Sequence, residues 1–296
     1  MDSAGADPGV TSRRWGAAAV AGGVTAWIAV ALLLDSVRAW DGAEAVRQVV
    51  LGLVTWALLA VLLRREPTLV RVQTLVVVAL ATLVEYTFSP LLGAYVYRIG
   101  TVPLFVPPGH GLVYLAALAL GRSDLLRRAP RAGVAGTIVV GGCWAVLGVA
   151  APGRADALGA FWFGCLLLFL LRGPSRLLYV GAFVMVSYLE LLGTRLGTWT
   201  WAPRDPLLGV IPQGNPPSGA AGGYGWFDLY ALWLAPRIQG RVAAARADPG
   251  TRRAGRSGAL TGGGRSSGGQ GAQDGLVQLA VRGQGAAPER PVDAVE

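Results

Sequence analysis

The amino-acid sequence predicts an all-α fold, a polytopic bundle of about eight transmembrane helices. Three observations support this prediction. The chain has 296 residues, of which 53% are hydrophobic and only 15% are charged, whereas soluble domains carry about 25% charged residues. The apolar residues occur in blocks of roughly 17–22, the length that crosses a bilayer. Two of these blocks end in a glutamate that is followed by similar residues, which indicates an internal repeat.

The predicted spans follow the apolar blocks in chain order. They are Trp15–Leu34, Val46–Leu63, Val70–Phe88, Val102–Leu120, Ala132–Ala151, Leu158–Leu171, Leu177–Leu192 and Pro217–Ala235. The segment 1–14 ends in Arg13 and Arg14, which are either part of a twin-arginine signal or a cytoplasmic flank. No small-residue cleavage site follows the first span. The first span is therefore expected to remain in the protein as an anchor.

The internal repeat is centred on Glu85 and Glu190, which lie 105 residues apart at the ends of the third and seventh spans. Each is followed by Leu-Gly, by two aromatic residues with one residue between them, and by a Pro-containing motif. In both copies a glycine lies 24 residues after the glutamate. The two halves, 15–121 and 122–236, then contain four spans each and have the same orientation in the membrane. They are predicted to be parallel repeats, with a cavity at their interface.

The distribution of arginine along the chain predicts its orientation in the membrane. The chain has 26 arginines and no lysine, a composition that suggests a GC-rich bacterial genome and hence a bacterial cell membrane. With the N-terminus in the cytoplasm, eleven arginines of the first 236 residues fall inside and six outside, as the positive-inside rule expects. Residues 237–296 are rich in Arg and Gly and poor in large apolar residues, so they are predicted to be a disordered cytoplasmic tail. The net charge of +9 therefore does not indicate that the protein binds nucleic acid.

Three acids are candidate catalytic residues. At about 1.5 Å per helical residue, Glu85 and Glu190 lie roughly 20–22 Å above the cytoplasmic ends of their spans. Asp228, midway along the eighth span, is deeper still. Acids at membrane depth are costly unless they are functional or paired, and a protonated one is a proton donor. The structural alternatives are that the glutamates are interfacial residues, hydrated by the outer loop or paired with Arg98 or Arg195, and that neighbouring tyrosines cap Asp228.

Candidate binding residues lie in the same motifs. His110 and Asn215 are counterparts near the starts of spans four and eight, and both are expected to be neutral hydrogen-bonding groups rather than metal ligands. The aromatic pairs alternate with other residues, as in an extended segment. They form either an interfacial belt or the wall of a pocket that stabilises a cation. These pairs are Tyr95 and Tyr97, and Trp199 and Trp201.

The absence of several catalytic and metal-binding motifs limits the chemistry that the chain can perform. The chain lacks CxxC, HExxH, a P-loop, a Gly-x-Ser-x-Gly elbow and an aspartate-rich magnesium motif. No metal and no cofactor are therefore predicted. The glycine run 219–223 is expected to let two helices approach closely, although it could also make room for a flat ligand.

Glutamate followed by Leu-Gly, Tyr-x-Tyr and Val-Pro resembles the membrane carotenoid hydratases, which add water to the end of an acyclic carotenoid. The chain is also similar to a group of actinobacterial polytopic membrane proteins with the sequences Val-Pro-Pro-Gly-His and Gly-Asn-Pro-Pro-Ser-Gly. The resemblance covers roughly 84–115 and 189–229, and it implies that Glu85 and Glu190 match the acidic positions of the hydratases. His110, Asn215 and the glycine run depart from that family.

The leading hypothesis is an integral membrane enzyme that acts on a lipophilic, isoprenoid or carotenoid-like substrate by carboxylic general-acid chemistry. Its expected partners are membrane lipids and that small molecule. A proton-coupled transporter is the first alternative, because parallel repeats and acids within the membrane are typical of carriers. A non-catalytic membrane scaffold is the second.

Overall fold

The structure, a computed structural model, describes residues 16–36, 43–150 and 155–247. Most of these residues are helical. The helices are α1 (Ala17–Asp35), α2 (Glu44–Arg64), α3 (Thr68–Tyr86), α4 (Val106–Gly121), α5 (Asp124–Arg128), α6 (Pro130–Ala150), α7 (Ala157–Arg172), α8 (Arg176–Leu196) and α9 (Ala220–Ala247). A π-helical turn (Thr87–Leu91) extends α3, and two short strands, β1 (Tyr95–Tyr97) and β2 (Trp199–Trp201), complete the fold.

Five of the helices are long and apolar enough to cross a membrane: α1, α2, α3 with its π turn, α6 and α8. Helices α4 and α7 are apolar but shorter, with 16 residues each. Large apolar side chains face outward; Leu53, Leu83 and Val146 are each 65% exposed. A surface of this kind suits lipid rather than water. The prediction of a helical membrane protein is therefore confirmed, whereas the number of eight spans stays a prediction.

Helix α4 occupies the centre of the bundle, where it packs against α1, α2, α3 and α8. The closest approach is to α8, because a side chain at Gly181 would collide with the backbone of Ala117. A cluster of buried core residues joins α3, α4, α8 and α9. It contains Val76, Val77, Tyr114, Ala117, Leu178, Ala182 and Ala231.

Both glutamate-bearing helices end at a glycine with a left-handed backbone. Gly93 follows the π turn after α3 with φ of 69°, and Gly197 caps α8 with φ of 73°. Glycine adopts this conformation at no steric cost. The Leu-Gly pairs of the sequence are thus the points at which the chain leaves each helix for the strand that follows.

The two strands pair with each other in an antiparallel ladder, with Tyr95 opposite Trp201 and Tyr97 opposite Trp199. Further backbone hydrogen bonds, from Arg98 N to Thr198 O and from Ala202 N to Ala94 O, extend the ladder at both ends at 2.9 Å. The prediction of extended aromatic segments is confirmed. The ladder also joins the loop of the first half of the chain to that of the second.

The glycine run packs α9 against α7. A side chain at Gly219 or Gly222 would collide with the backbone of α7 near Gly159 and Trp162, so the predicted close approach of two helices is confirmed. Asp156, which precedes α7, reinforces this contact. Its buried carboxylate accepts backbone hydrogen bonds from Gly159 at 3.0 Å, Gly214 at 2.7 Å and Ser218 at 2.7 Å.

The boundary predicted for the C-terminal tail is wrong. The tail was expected to begin at 237, but α9 continues to Ala247. The remainder of the predicted tail, 248–296, lies outside the described residues, as does the predicted N-terminal segment 1–14. The short helix α5 was not anticipated.

Candidate functional site

Glu85 is at the centre of a buried polar cluster. The hydroxyls of Tyr95 and Tyr97 donate to its Oε2 at 2.8 Å and 2.7 Å. The ring Nε2 of His110 lies 2.8 Å from its Oε1. Glu85 is in the last turn of α3, and the tyrosines lie on β1. His110 is the fifth residue of α4, after a first turn with two prolines that suit a helix start. Both carboxylate oxygens therefore have partners.

Glu190 makes the corresponding arrangement in the second half of the chain. The indole Nε1 atoms of Trp199 and Trp201 both donate to its Oε2, each at 3.0 Å. Glycine at position 193 leaves room on α8 for the Trp199 ring. Within the described part of the chain, no group donates to Oε1 of Glu190. One oxygen of this buried carboxyl group therefore has no hydrogen-bond donor among the described residues.

The two carboxyl groups line one cavity of about 300 Å³. Its wall is mostly apolar and comes from helices of both halves, including Trp27 of α1 and Trp162 of α7. The predicted residues on this wall are Glu85, Tyr95, Tyr97, His110, Glu190, Trp199 and Trp201. The structure therefore brings together seven of the nine predicted site residues. A chamber of this size and character suits an apolar ligand with a polar reacting group.

Asn215 does not line the cavity, contrary to its predicted role as the counterpart of His110. Its side chain is exposed, and its Oδ1 accepts a hydrogen bond from the backbone N–H of Trp201 at 3.1 Å. Asn215 precedes α9 by several residues, whereas His110 lies inside α4, so equal spacing from the glutamates does not produce equal positions. Asn215 instead supports the strand that carries Trp201.

Asp228 lies outside the main cavity. It borders a second cavity of about 10 Å³, which His110 and Tyr224 also line. The carboxyl group is buried, and its Oδ2 has no protein partner. The alternative that neighbouring tyrosines cap Asp228 is not found among the hydrogen bonds of the described residues.

Arg98 does not pair with Glu85, so the structural alternative that invoked it is wrong. Its guanidinium lies 2.5 Å from Glu44 and 3.4 Å from Asp35. Gln48 also donates to Asp35. These four side chains form a separate polar cluster at the ends of α1 and α2. Arg195, the other suggested partner, is exposed.

Two residues of the site were not predicted. Tyr224 stacks on His110, with ring centroids 5.1 Å apart. It lies one helical turn before Asp228, and this spacing in the sequence could have indicated that the two side chains share a face of the helix. Gln213 lines the cavity and ties the two strands together, because its Nε2 donates to Ala94 O at 3.1 Å and Ala202 O at 3.2 Å. Its position in the second copy of the repeated motif could have indicated that Gln213 belongs to the site.

Asp205 organises the loop that leads from β2 to Gln213. Its carboxylate accepts backbone hydrogen bonds from Leu208 at 2.5 Å, Ile211 at 2.8 Å and Val210 at 3.2 Å. These bonds, the one from Leu208 above all, hold the pKa of Asp205 below its usual value. Hydrogen bonds to a carboxylate favour its charged form.

This lowered pKa predicts acid sensitivity of the loop. The carboxylate stabilises the loop above the pKa of an unfolded aspartate, about 3.9, and this stabilisation is lost as the pH falls through the lower folded value. Hydrogen exchange of the amides of Leu208 and Ile211, referred to the unfolded chain at each pH, is expected to speed up below about pH 4. Asp205→Asn should show faster exchange already at neutral pH. If the amides of β1 and β2 respond equally, the effect is not local to Asp205.

Within the described ranges, no group of three or more His, Cys, Asp or Glu side chains could hold a metal ion. Comparison of the chain with protein-family models, with curated proteins and with solved structures finds no match.

Proposed function

We propose that this protein is an integral membrane enzyme that acts on a lipophilic, isoprenoid or carotenoid-like substrate by carboxylic general-acid chemistry. The observation that carries the proposal is that two buried carboxyl groups, each held by two aromatic side chains, face one apolar cavity. An apolar wall suits the hydrocarbon part of such a substrate. A buried carboxyl group supplies the proton that an otherwise unreactive alkene requires.

The hydrogen bonds support Glu190 as the acid. Both oxygens of Glu85 have hydrogen-bond partners, whereas no described residue donates to Oε1 of Glu190. A proton on that oxygen can pass to an alkene carbon, where the π electrons form the new C–H bond and leave a cation on the neighbouring carbon. The rings of Tyr95, Trp199 and Trp201 line the same cavity, and aromatic faces stabilise cations. His110 orients the carboxyl group of Glu85 through its Nε2, 2.8 Å from Oε1.

In this proposal the bundle crosses the bacterial cell membrane eight times, with both termini in the cytoplasm. Its halves, 15–121 and 122–236, are parallel four-helix repeats. Matched carboxylate–aromatic clusters support this arrangement, as does the ladder between the strands. Its register is symmetric about the pair Val96 and Thr200, as a two-fold axis along the membrane normal requires.

Metabolite profiles test the proposal. Membranes of cells that lack the gene are compared with membranes of cells complemented by the wild type or by the Glu85→Gln/Glu190→Gln double variant. The wild type is expected to restore the lipid or pigment profile, and the double variant is not, at equal protein level. Glu66→Gln makes the same change before α3, far from the cavity, and is expected to restore the profile. Restoration by the double variant would reject the catalytic role.

The two alternatives predict other outcomes of the same comparison. A proton-coupled transporter predicts unchanged metabolite structures and a loss of uptake or proton flux in proteoliposomes that carry the Gln variants. A scaffold predicts that the Gln variants lower the stability of the protein without altering a metabolite or a flux.

A further inference from the structure

Two of the residues that line the second, smaller cavity each carry a buried polar atom with no protein partner. These atoms are Nδ1 of His110, on α4, and Oδ2 of Asp228, on α9; both side chains are buried. Buried polar atoms are nearly always hydrogen-bonded, to protein or to an ordered water. Two that border one cavity therefore indicate a shared partner.

The size and the walls of the cavity identify that partner. Its volume of about 10 Å³ is the space that one water molecule requires. The remaining wall is mainly apolar and includes Val77, Ala182 and Val186. A polar ligand larger than water has no space there. Nδ1 and Oδ2 offer the two hydrogen-bonding groups that a buried water needs at minimum.

We propose that one water molecule in this cavity links Asp228 to His110, and that the chain Asp228–water–His110–Glu85 conducts protons to the main cavity. An ionised Glu85 can only accept hydrogen bonds, so Nε2 of His110 carries the proton on that side. Nδ1 of the neutral ring is then an acceptor, and the water donates to it. The stacked ring of Tyr224 holds the imidazole in this orientation.

Protons are conserved along this chain. A protonated Asp228 gives its proton to the water, the water gives one of its own to Nδ1, and Nε2 gives its proton to Glu85. The reverse sequence removes a proton from Glu85. Asp228 is thus a positioning and proton-storing residue that acts through His110, without touching a substrate in the main cavity. This role in turnover depends on the proposed function, whereas the water link does not.

Because His110 is the only histidine of the chain, nitrogen NMR of protein labelled with ¹⁵N-histidine reports on this ring alone, provided that no histidine tag is present. In protein reconstituted in lipid vesicles, we expect a protonated Nε2 and an unprotonated Nδ1 that shows magnetisation transfer from water protons. Asp228→Asn is expected to shift the Nδ1 resonance and to leave Nε2 protonated. Asp124→Asn, the same change at the exposed start of α5, should shift neither resonance.

A second variant removes the water without touching a polar group. Val186→Ile adds one methylene group at the cavity wall. The volume of that group is close to the share of liquid volume that one water molecule occupies, about 30 Å³. The substitution is expected to abolish the transfer from water to Nδ1. The proposal is overturned if wild-type Nδ1 is protonated, if it shows no transfer from water, or if Val186→Ile leaves that transfer intact. None of these spectra requires a substrate, so a failure of the proposed enzymatic function is recorded separately, in the metabolite profiles.

Discussion

Replacing Glu190 by glutamine is expected to lower product formation by about 10²–10⁴-fold, the usual contribution of a general acid. The substitution keeps an oxygen that accepts the hydrogen bonds of Trp199 and Trp201. What it removes is the acidic proton of the oxygen without a protein partner. The ratio of substrate to product in membranes of complemented cells measures the effect, once the metabolite profiles have identified the pair.

A comparison with Glu66→Gln separates chemistry from folding in that experiment. Both variants exchange one carboxyl group for an amide, but Glu66 precedes α3 and pairs with Arg122 at 3.6 Å. The thermal unfolding midpoint of Glu190→Gln is expected to stay near that of the wild type, because its side chain retains its shape and an acceptor oxygen. If Glu190→Gln forms product as well as Glu66→Gln does, Glu190 is not the acid.

Alanine at position 222 is expected to destabilise the protein by about 1–3 kcal/mol or more, the cost of overpacking a well-packed contact. A Cβ there would collide with the backbone of Trp162 on α7. Backbone cannot rotate aside as a side chain can, so α7 and α9 would have to separate. The midpoint of thermal or denaturant unfolding in detergent measures the loss.

The adjacent glycine provides the matched control. A Cβ at Gly223 meets no atom within 4 Å, so Gly223→Ala is expected to be neutral, or stabilising by roughly 0.5–1 kcal/mol through helix propensity. Because the two positions are neighbours on α9, a general loss of helix flexibility would affect both alike. Equal effects of the two substitutions would show that the contact between α7 and α9 does not limit stability.

Local features of the site were predictable from the sequence. The repeat predicted that both glutamates are followed by a similar Leu-Gly loop, and the structure ends both helices near a left-handed glycine, Gly93 and Gly197. Alternation of aromatic residues predicted β1 and β2. The equal depth of Glu85 and Glu190 stays a prediction, although both line one cavity. Each of these inferences depends on residues close together in the chain.

Partners across the fold were not predictable. Arg98 was considered a partner for Glu85 but lies beside Glu44 and Asp35 instead. Asn215 was expected to match His110 and supports a strand, because the chain around it is not helical as it is at His110. Which face of a helix meets which neighbour depends on the rotation of that helix in the bundle, and a repeated motif does not specify that rotation.

By itself, the sequence determined that this chain is helical, that it has a lipid-facing surface, and that two acids end apolar runs, since composition and periodicity act over one helix at a time. Only the tertiary structure decided that both glutamates border one cavity while Asp228 borders another. The physical reason is the packing of α4 between α3 and α8, together with the ladder between β1 and β2. These contacts join residues about a hundred positions apart, and no local property of the chain encodes them.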